Sequence, residues 1–235
     1  MGLAKVPPNI EVLRKKQMTA KNIESNKKYW DEFYATSHRH LPSQFCALIL
    51  TEIKEGTVVV ELGSGNGRDS HFFADQGHTS VAVDLSAQAI KTSSEFAASR
   101  KVDHANFLQA DLTSKTDLEV AFKTARDQAG DNEIVYYSRF VMHTLDDDQE
   151  LAFLEILGGL MKSGETIYFE FRSKEDAELE KIHGNHFRRY VDTDLFKNYL
   201  TEKFGFEIKY SITGQGMAKY KTEDPVVSRV FAQKK

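Results

Sequence analysis

The residues best suited to chemistry lie in the segment VVVELGSGNGRDS at positions 58–70, where the acid Glu61 precedes three glycines. β-Branched residues before an acid and a glycine run are typical of a buried strand that ends in a tight turn. Because glycine has no Cβ, the backbone of residues 63–67 can approach a ligand closely. The segment therefore predicts a ligand-binding loop, with a tight turn that binds nothing as the alternative.

Two further acids follow the next two predicted strands, Asp84 at the end of VAVD and Asp111 in ADL. A carboxylate at the end of the second strand can accept hydrogen bonds from ribose hydroxyls, although acids also cap helices. Asp111 falls near where an adenine amino group would lie. The glycines are spaced G-x-G-x-G and do not match the G-x-G-x-x-G pattern of dinucleotide sites. The three signals together predict a nucleoside-like ligand.

The elements that must position these residues alternate along the chain. Strands are predicted at 58–62, 80–84, 105–110, 133–138, 165–172, 205–213 and 226–233, with helices near 68–76, 86–100, 115–129, 146–161 and 192–203. This alternation predicts an α/β fold, a Rossmann-like doubly wound sheet of seven strands. No helix joins the last two strands, so the sheet is expected to be mostly parallel with an antiparallel last strand. N-terminal to the sheet, residues 1–26 are predicted to form an arm with a polar helix. A second, apolar helix is predicted to begin at Pro42 and to end near Gly56.

Composition excludes several classes of function. The 235 residues carry a net charge of -4, with a pI of about 6.1, so we expect no nucleic-acid partner. Cys46 is the only cysteine, which rules out an internal disulfide. No apolar run approaches membrane-spanning length and no signal peptide is evident, so we expect a cytoplasmic protein without membrane insertion.

The segment ELGSGNG, with Asp84 and Asp111, resembles the class I S-adenosylmethionine-dependent methyltransferases over residues 45–235. The resemblance implies S-adenosyl-L-methionine as cofactor, with Asp84 on the ribose and Asp111 at the adenine edge. It also implies that residues 1–44 form an N-terminal arm and helical lid, although aromatics such as those of the lid are more often core residues than ligand contacts. The cofactor-binding residues so implied are Tyr29, Trp30, Glu61, Gly63, Ser64, Gly65, Asn66, Gly67, Asp84, Leu85, Asp111, Leu112 and Ser138.

Arg139 and His143, spaced i,i+4 after the fourth strand, are the candidate catalytic residues. Methyl transfer needs an aligned acceptor, and a base if the acceptor is neutral. His143 is expected to act as a base or to orient the acceptor, while Arg139 binds an anionic part of it. A structural ion pair and simple packing remain the alternatives. The N/D-P-P-Y-type motif of amino-directed nucleic-acid methyltransferases is absent.

A second polar cluster follows the fifth strand and includes HGNHFRRY at 183–190. Cations near a site in an acidic protein favour a phosphate, carboxylate or sugar-phosphate acceptor, with a solvated basic loop as the alternative. The acids at 146–148 are expected to stabilise a helix N-terminus, and no metal is predicted. The candidate acceptor-binding residues are His38, Glu170, Arg172, His186, Arg188, Arg189 and Tyr190.

The segments YWDEFY, YYSRFVMH, HFRRY and GMAKYKTEDPVVSRV are similar to methyltransferases encoded with bacterial capsule or O-antigen biosynthesis. This resemblance implies a small-molecule or surface-glycan acceptor, methylated at a sugar hydroxyl, an amine or a phosphate group. A non-catalytic cofactor-binding protein and an NAD or nucleotide-sugar oxidoreductase remain alternatives, and a homodimer is left open.

Overall fold

The computed structural model describes residues 28–35, 41–179 and 188–235. Seven strands form one sheet in the order β3-β2-β1-β4-β5-β7-β6. The strands are β1 (Val58–Leu62), β2 (Thr79–Asp84), β3 (Ala105–Gln109), β4 (Ile134–Arg139), β5 (Thr166–Arg172), β6 (Phe206–Gly214) and β7 (Val227–Lys234). The helices are α1 (28–35), α2 (Gln44–Ile49), α3 (Arg68–Asp75), α4 (Ala87–Arg100), α5 (Lys115–Ala129), α6 (Asp147–Leu160) and α7 (Thr193–Asn198).

The pairing of the strands confirms the predicted α/β sheet. Strand β1 is parallel to both β2 and β4, and β5 continues the parallel run. Strand β7 is antiparallel to β5 on one side and to β6 on the other, so β6 takes the sheet edge. All five residues of β1 are buried, as expected for a central parallel strand covered on both faces.

Helices pack an apolar core against each face of the sheet. On one face, Phe122 of α5 and Phe153 of α6 pack in a buried cluster with Phe169 of β5. On the other face, Phe45 of α2 and Phe73 of α3 contact Tyr137 of β4. The carboxyl ends of the parallel strands therefore form a rigid edge on which a site can be built.

The structure differs from the sequence prediction mainly at helix ends. Helix α2 stops at Ile49 rather than near Gly56. There the amides of Thr51 and Glu52 bond to carbonyls three residues back, which tightens the chain into 3₁₀-type turns. The predicted helix at 192–203 continues beyond Asn198 as a π-helical turn, Tyr199–Lys203.

The predicted N-terminal arm lies outside the described residues. Within the part of the chain that the structure describes, no helix is both long and apolar enough to cross a membrane.

Candidate active site

A cavity of about 890 Å³ lies at the carboxyl ends of the parallel strands. In an open α/β sheet, this edge is where ligands bind. Helix α1 contributes aromatic side chains to the opposite wall. The sequence-predicted residues that line the cavity are Tyr29, Trp30, Glu61, Gly63, Ser64, Asn66, Asp84, Leu85, Asp111, Leu112, Arg139, His143, Arg172 and Arg188.

The glycine loop between β1 and α3 depends on left-handed backbone and on missing side chains. Gly63, Gly65 and Gly67 have φ values of +82°, +55° and +68°. A Cβ on Gly63 would lie 2.2 Å from a methyl carbon of Val141, and one on Gly65 would lie 2.3 Å from the Tyr34 hydroxyl oxygen. Gly65 and Gly67 themselves do not line the cavity among the described residues, so their role is to shape the loop.

Asp84 organises this loop from the end of β2. One carboxylate oxygen accepts from the Gly65 amide at 2.8 Å, and the other accepts from the Ser86 amide at 2.9 Å. Burial raises the pKa of Asp84 despite these bonds. A carboxylate has about four lone-pair sites, so the side chain can still accept from a ligand in the cavity that it lines.

Asp111 is held more locally. Its carboxylate accepts from the amide and the hydroxyl of Thr113 at 2.8 and 2.7 Å, and its own amide donates to Asp117. Asp111 therefore caps a turn, which is the alternative that the sequence left open, and it also lines the cavity.

Ser64 presents a polar atom that the described residues do not satisfy. Its hydroxyl oxygen is buried and has no hydrogen-bond partner among them. Ser64 also lines the cavity, so a polar ligand group would supply the missing bond.

Glu61 is a buried carboxyl group beneath the loop. It is 3% exposed, and it accepts from the Ser70 hydroxyl. Burial raises its pKa well above the ordinary value of 4.5, the nearby Asp69 raises it further, and Ser70 and Arg68 oppose these effects. A cationic ligand group in the cavity would favour the ionised form.

The Asp31 carboxylate links helix α1 to the N-terminus of α4. Asp31 accepts from the Ser86 hydroxyl and from the Gln88 amide at 3.4 Å, at the N-terminus of α4. Anions are stabilised at a helix N-terminus. The attachment places Tyr29 and Trp30 in the cavity wall, with their rings 5.0 Å apart.

A family model described as a methyltransferase domain matches residues 53–189, which is more than half of the 235 residues. The chain belongs to this methyltransferase family. A comparison with curated proteins found no match.

Solved structures share the fold of this methyltransferase at low identity. A SAM-dependent methyltransferase from Anabaena variabilis is 13% identical, with a TM-score of 0.67 over 91% of this chain and 95% of that one. The glycopeptide N-methyltransferase MtfA, solved with S-adenosyl-L-methionine, is 15% identical, with a TM-score of 0.60 over 85% and 90%. Phosphoethanolamine N-methyltransferase 1 from Haemonchus contortus is 14% identical, with a TM-score of 0.68 over 92% of this chain and 50% of that one.

S-Adenosyl-L-methionine is the cofactor of this methyltransferase, and the described residues fit it. The cavity wall offers the Asp84 carboxylate, the unsatisfied Ser64 hydroxyl and the buried Glu61 carboxyl group. These groups suit a ligand that combines hydroxyls with positive charge. When bound, the cofactor supplies an electrophilic methyl group on a sulfonium.

Binding of the cofactor is expected to release a proton from Glu61. Its pKa in the folded protein is raised by burial, and a cationic ligand lowers it again by favouring the carboxylate. Affinity for S-adenosylmethionine should therefore rise with pH between the pKa of the bound form and that of the ligand-free form. Calorimetric titrations in two buffers with different ionisation enthalpies measure the proton release, and Glu61→Gln should abolish it. Equal apparent enthalpies in both buffers, across the pH range of binding, would contradict the prediction.

Arg139, a predicted catalytic residue, is paired in the cavity wall. Its Nε donates to Glu170 at 2.8 Å, and Arg229 Nε donates to the other Glu170 oxygen at 2.8 Å. The guanidinium carbon of Arg139 also lies 4.1 Å from the centre of the Phe140 ring. Both guanidinium groups thus share the one Glu170 carboxylate, while the charge of Asp69 also acts on Arg139, and both Arg139 and Asp69 line the cavity wall.

Glu170 is predicted from the sequence to bind the acceptor, but it does not line the cavity among the described residues. Its side chain is 0% exposed because both oxygens accept from arginines. Arg172 does line the cavity, with its guanidinium held by Asp176 at 2.7 Å and by Glu223.

His143 lies in the short 3₁₀ turn Met142–Thr144 after β4 and is 3% exposed. Its Nδ1 accepts from the Arg172 amide at 3.4 Å, and its ring packs edge-on against Phe140 at 5.3 Å. Phe140 itself has a φ of +60°, a strained value for a bulky residue that is typical of functional sites. The sequence carries no signal for this conformation, so Phe140 was not among the predicted residues.

Several predicted residues lie elsewhere. Ser138 donates to the Leu62 carbonyl at 3.2 Å inside the sheet and does not line the cavity in the described part of the chain. Arg189 and Tyr190 are likewise outside the described cavity wall. His38 and His186 lie outside the described residues.

Asp146 caps α6 through a capping box with Gln149, in agreement with the helix-terminus interpretation of the acids at 146–148.

Proposed function

We propose that this protein transfers the methyl group of S-adenosylmethionine to a small molecule or a surface-glycan precursor that carries an anionic group. The methylated atom would belong to a sugar hydroxyl, an amine or a phosphate group. The observation that carries the proposal is the group of cationic side chains in the cavity wall, Arg139, Arg188 and Lys219, which lie there alongside the carboxylates of Asp69 and Glu223.

The electrostatics of Arg188 support an anionic acceptor. Burial lowers the pKa of Arg188, and the neighbouring charge of Arg172 lowers it further, while the carboxylate of Glu223, which is bonded to Arg172, opposes these effects. Two guanidinium groups that repel each other in a partly buried site are stabilised by a bound anion. A phosphate or carboxylate matches the forked geometry of guanidinium donors.

Two structural neighbours support the breadth of this acceptor class. One is a glycopeptide N-methyltransferase, and another was solved with phosphoethanolamine and S-adenosylhomocysteine. Both share only the fold with this chain, so the choice among amine, hydroxyl and phosphate rests on direct assay.

We assign His143 the role of orienting the acceptor or of taking its proton. A neutral ring that accepts at Nδ1 carries its proton on Nε2, so Nε2 is a hydrogen-bond donor. That tautomer suits a nucleophile that is already anionic, such as a phosphate oxygen, which needs no base. A hydroxyl or amine acceptor would instead require His143 to take up a proton.

Replacement of His143 by alanine is expected to lower turnover by about 10²–10⁴-fold, the usual contribution of a proton-transferring or orienting group. Affinity for S-adenosylmethionine should change little, because the groups placed at the cofactor end belong to other elements. Steady-state rates and calorimetry measure the two quantities. His104→Gln is the control, since His104 bonds to the Ala74 carbonyl and does not line the cavity in the described chain. Equal losses of turnover and affinity in His143→Ala would assign it a structural role.

A screen of sugar phosphates, phosphorylated amines and uncharged analogues, with labelled S-adenosylmethionine, tests the proposed acceptor class. Label transfer to the anionic compounds alone supports the proposal. Transfer only to uncharged analogues contradicts it. Tight cofactor binding without transfer to any compound would favour the non-catalytic alternative.

A further inference from the structure

The turn that carries His143 is short and is contacted by residues from other segments. It spans Met142–Thr144 and follows the strained Phe140. Within the turn, the amide and the hydroxyl of Thr144 bond to the Val141 carbonyl at 2.7 and 2.8 Å. The position of His143 therefore depends on contacts from other segments.

Arg189 supplies several of these contacts from the segment before α7. Its amide donates to the His143 carbonyl at 2.8 Å, and its Nη2 donates to the Met142 carbonyl at 3.3 Å. The same guanidinium is held by Glu150 and Asp147 in the first turn of α6. Glu150 is the buried partner, with its side chain 4% exposed against 86% for Asp147.

The residue before Arg189 lies in the cavity wall. Arg188 lines the cavity, whereas Arg189 packs against the turn behind it. Arg188 and Arg189 are adjacent residues of one extended segment. A contact of the acceptor with Arg188 is therefore linked to the position of the His143 backbone. The Val191 amide bonds the same segment to the Arg172 carbonyl at the end of β5.

We propose that Arg189 and Glu150 form a positioning pair for His143 and couple its orientation to acceptor binding at Arg188. The proposal rests on the function assigned to His143 above. Arg189 is then a positioning residue, not the acceptor-binding residue that the sequence predicts.

The test removes the pair without leaving a buried charge. Arg189→Met alone removes the guanidinium partner of the buried Glu150 carboxylate. Breaking a buried ion pair in this way can unfold a protein. The double variant Arg189→Met with Glu150→Leu replaces both charges by apolar groups, which is often neutral for stability. Asp147→Asn is the matched control because it removes only the exposed partner. Thermal melting establishes that each variant is folded.

The readout is the NMR signal of the His143 ring carbon Cε1 in histidine-labelled protein saturated with S-adenosylhomocysteine. His143→Gln assigns the signal by its disappearance. In the double variant, we expect a moved signal and on the order of 10²-fold slower methyl transfer, as for a misplaced catalytic group. Asp147→Asn should keep the wild-type signal.

Affinity for S-adenosylhomocysteine should stay within about twofold in all of these variants, as for sites without shared partners. A double variant that keeps the wild-type His143 signal and the wild-type rate of methyl transfer would overturn the positioning role. Failure of the wild-type protein to bind S-adenosylhomocysteine would instead refute the proposed function, so the two failures are distinguishable.

Discussion

Replacement of Gly63 by alanine is expected to abolish measurable cofactor binding and to destabilise the fold by several kcal/mol. An L-residue in the left-handed region costs about 1–2 kcal/mol, and overpacking a tight site adds about 1–3 kcal/mol. Both costs apply here, because φ is +82° and the new Cβ would lie 2.2 Å from a Val141 methyl carbon. Relief of the clash would shift the loop, whose Gly63 and Ser64 amides bond to the Val83 carbonyl at 2.8 and 2.9 Å.

Gly77→Ala is the matched control for this prediction. Gly77 has a similar φ of +86°, but no heavy atom lies within 4 Å of the position of its Cβ. It should therefore show only the conformational cost and retain full affinity for S-adenosylmethionine. Calorimetry and thermal melting of both variants give the comparison. If Gly63→Ala destabilises the fold no more than Gly77→Ala does and still binds S-adenosylmethionine, the close approach to Val141 is unimportant.

Replacement of Asp84 by asparagine is expected to produce the largest loss of cofactor affinity among the conservative changes. Each lost hydrogen bond from a ribose hydroxyl to the carboxylate costs about 1.5–3 kcal/mol, or roughly 10- to 150-fold in affinity. The structure adds a second effect. Both carboxylate oxygens accept from backbone amides, of Gly65 and of Ser86. The amide nitrogen of asparagine would face one of these donors in either orientation, so the glycine loop also loses a contact.

Asp75→Asn is the control for the charge change alone. Asp75 pairs with Arg100 at 2.8 Å on the surface and does not line the cavity in the described chain. Calorimetric titration with S-adenosylmethionine should show unchanged affinity for this variant. If Asp84→Asn also binds with wild-type affinity, the assignment of Asp84 to the ribose is lost.

The pattern around the glycine loop could be predicted because its determinants are local. Left-handed backbone favours glycine whatever the rest of the fold does. A run of β-branched residues before an acid predicts a buried strand. For this reason, the prediction for β1 matches the observed Val58–Leu62, and the structure places Glu61, Ser64 and Asp84, which the sequence predicts to bind the cofactor, in the cavity wall.

The pairing of the arginines around Glu170 could not be predicted in the same way. The sequence names Glu170 and Arg172 as neighbouring candidates, but it does not show that Arg139 and Arg229 occupy both Glu170 oxygens. Those partners come from β4 and β7, which only the strand order brings to either side of β5.

The amino-acid sequence by itself determined the α/β sheet, the glycine loop and the acids at the ends of β1 and β2, because backbone sterics and strand periodicity act over a few residues. Only the tertiary structure decided which charged side chains reach the cavity. Arg188 lines it, while the adjacent Arg189 is bound to Glu150, 39 residues away along the chain. The physical reason is that a buried charge must be paired or hydrogen-bonded, and its partner depends on which distant segments the fold packs together.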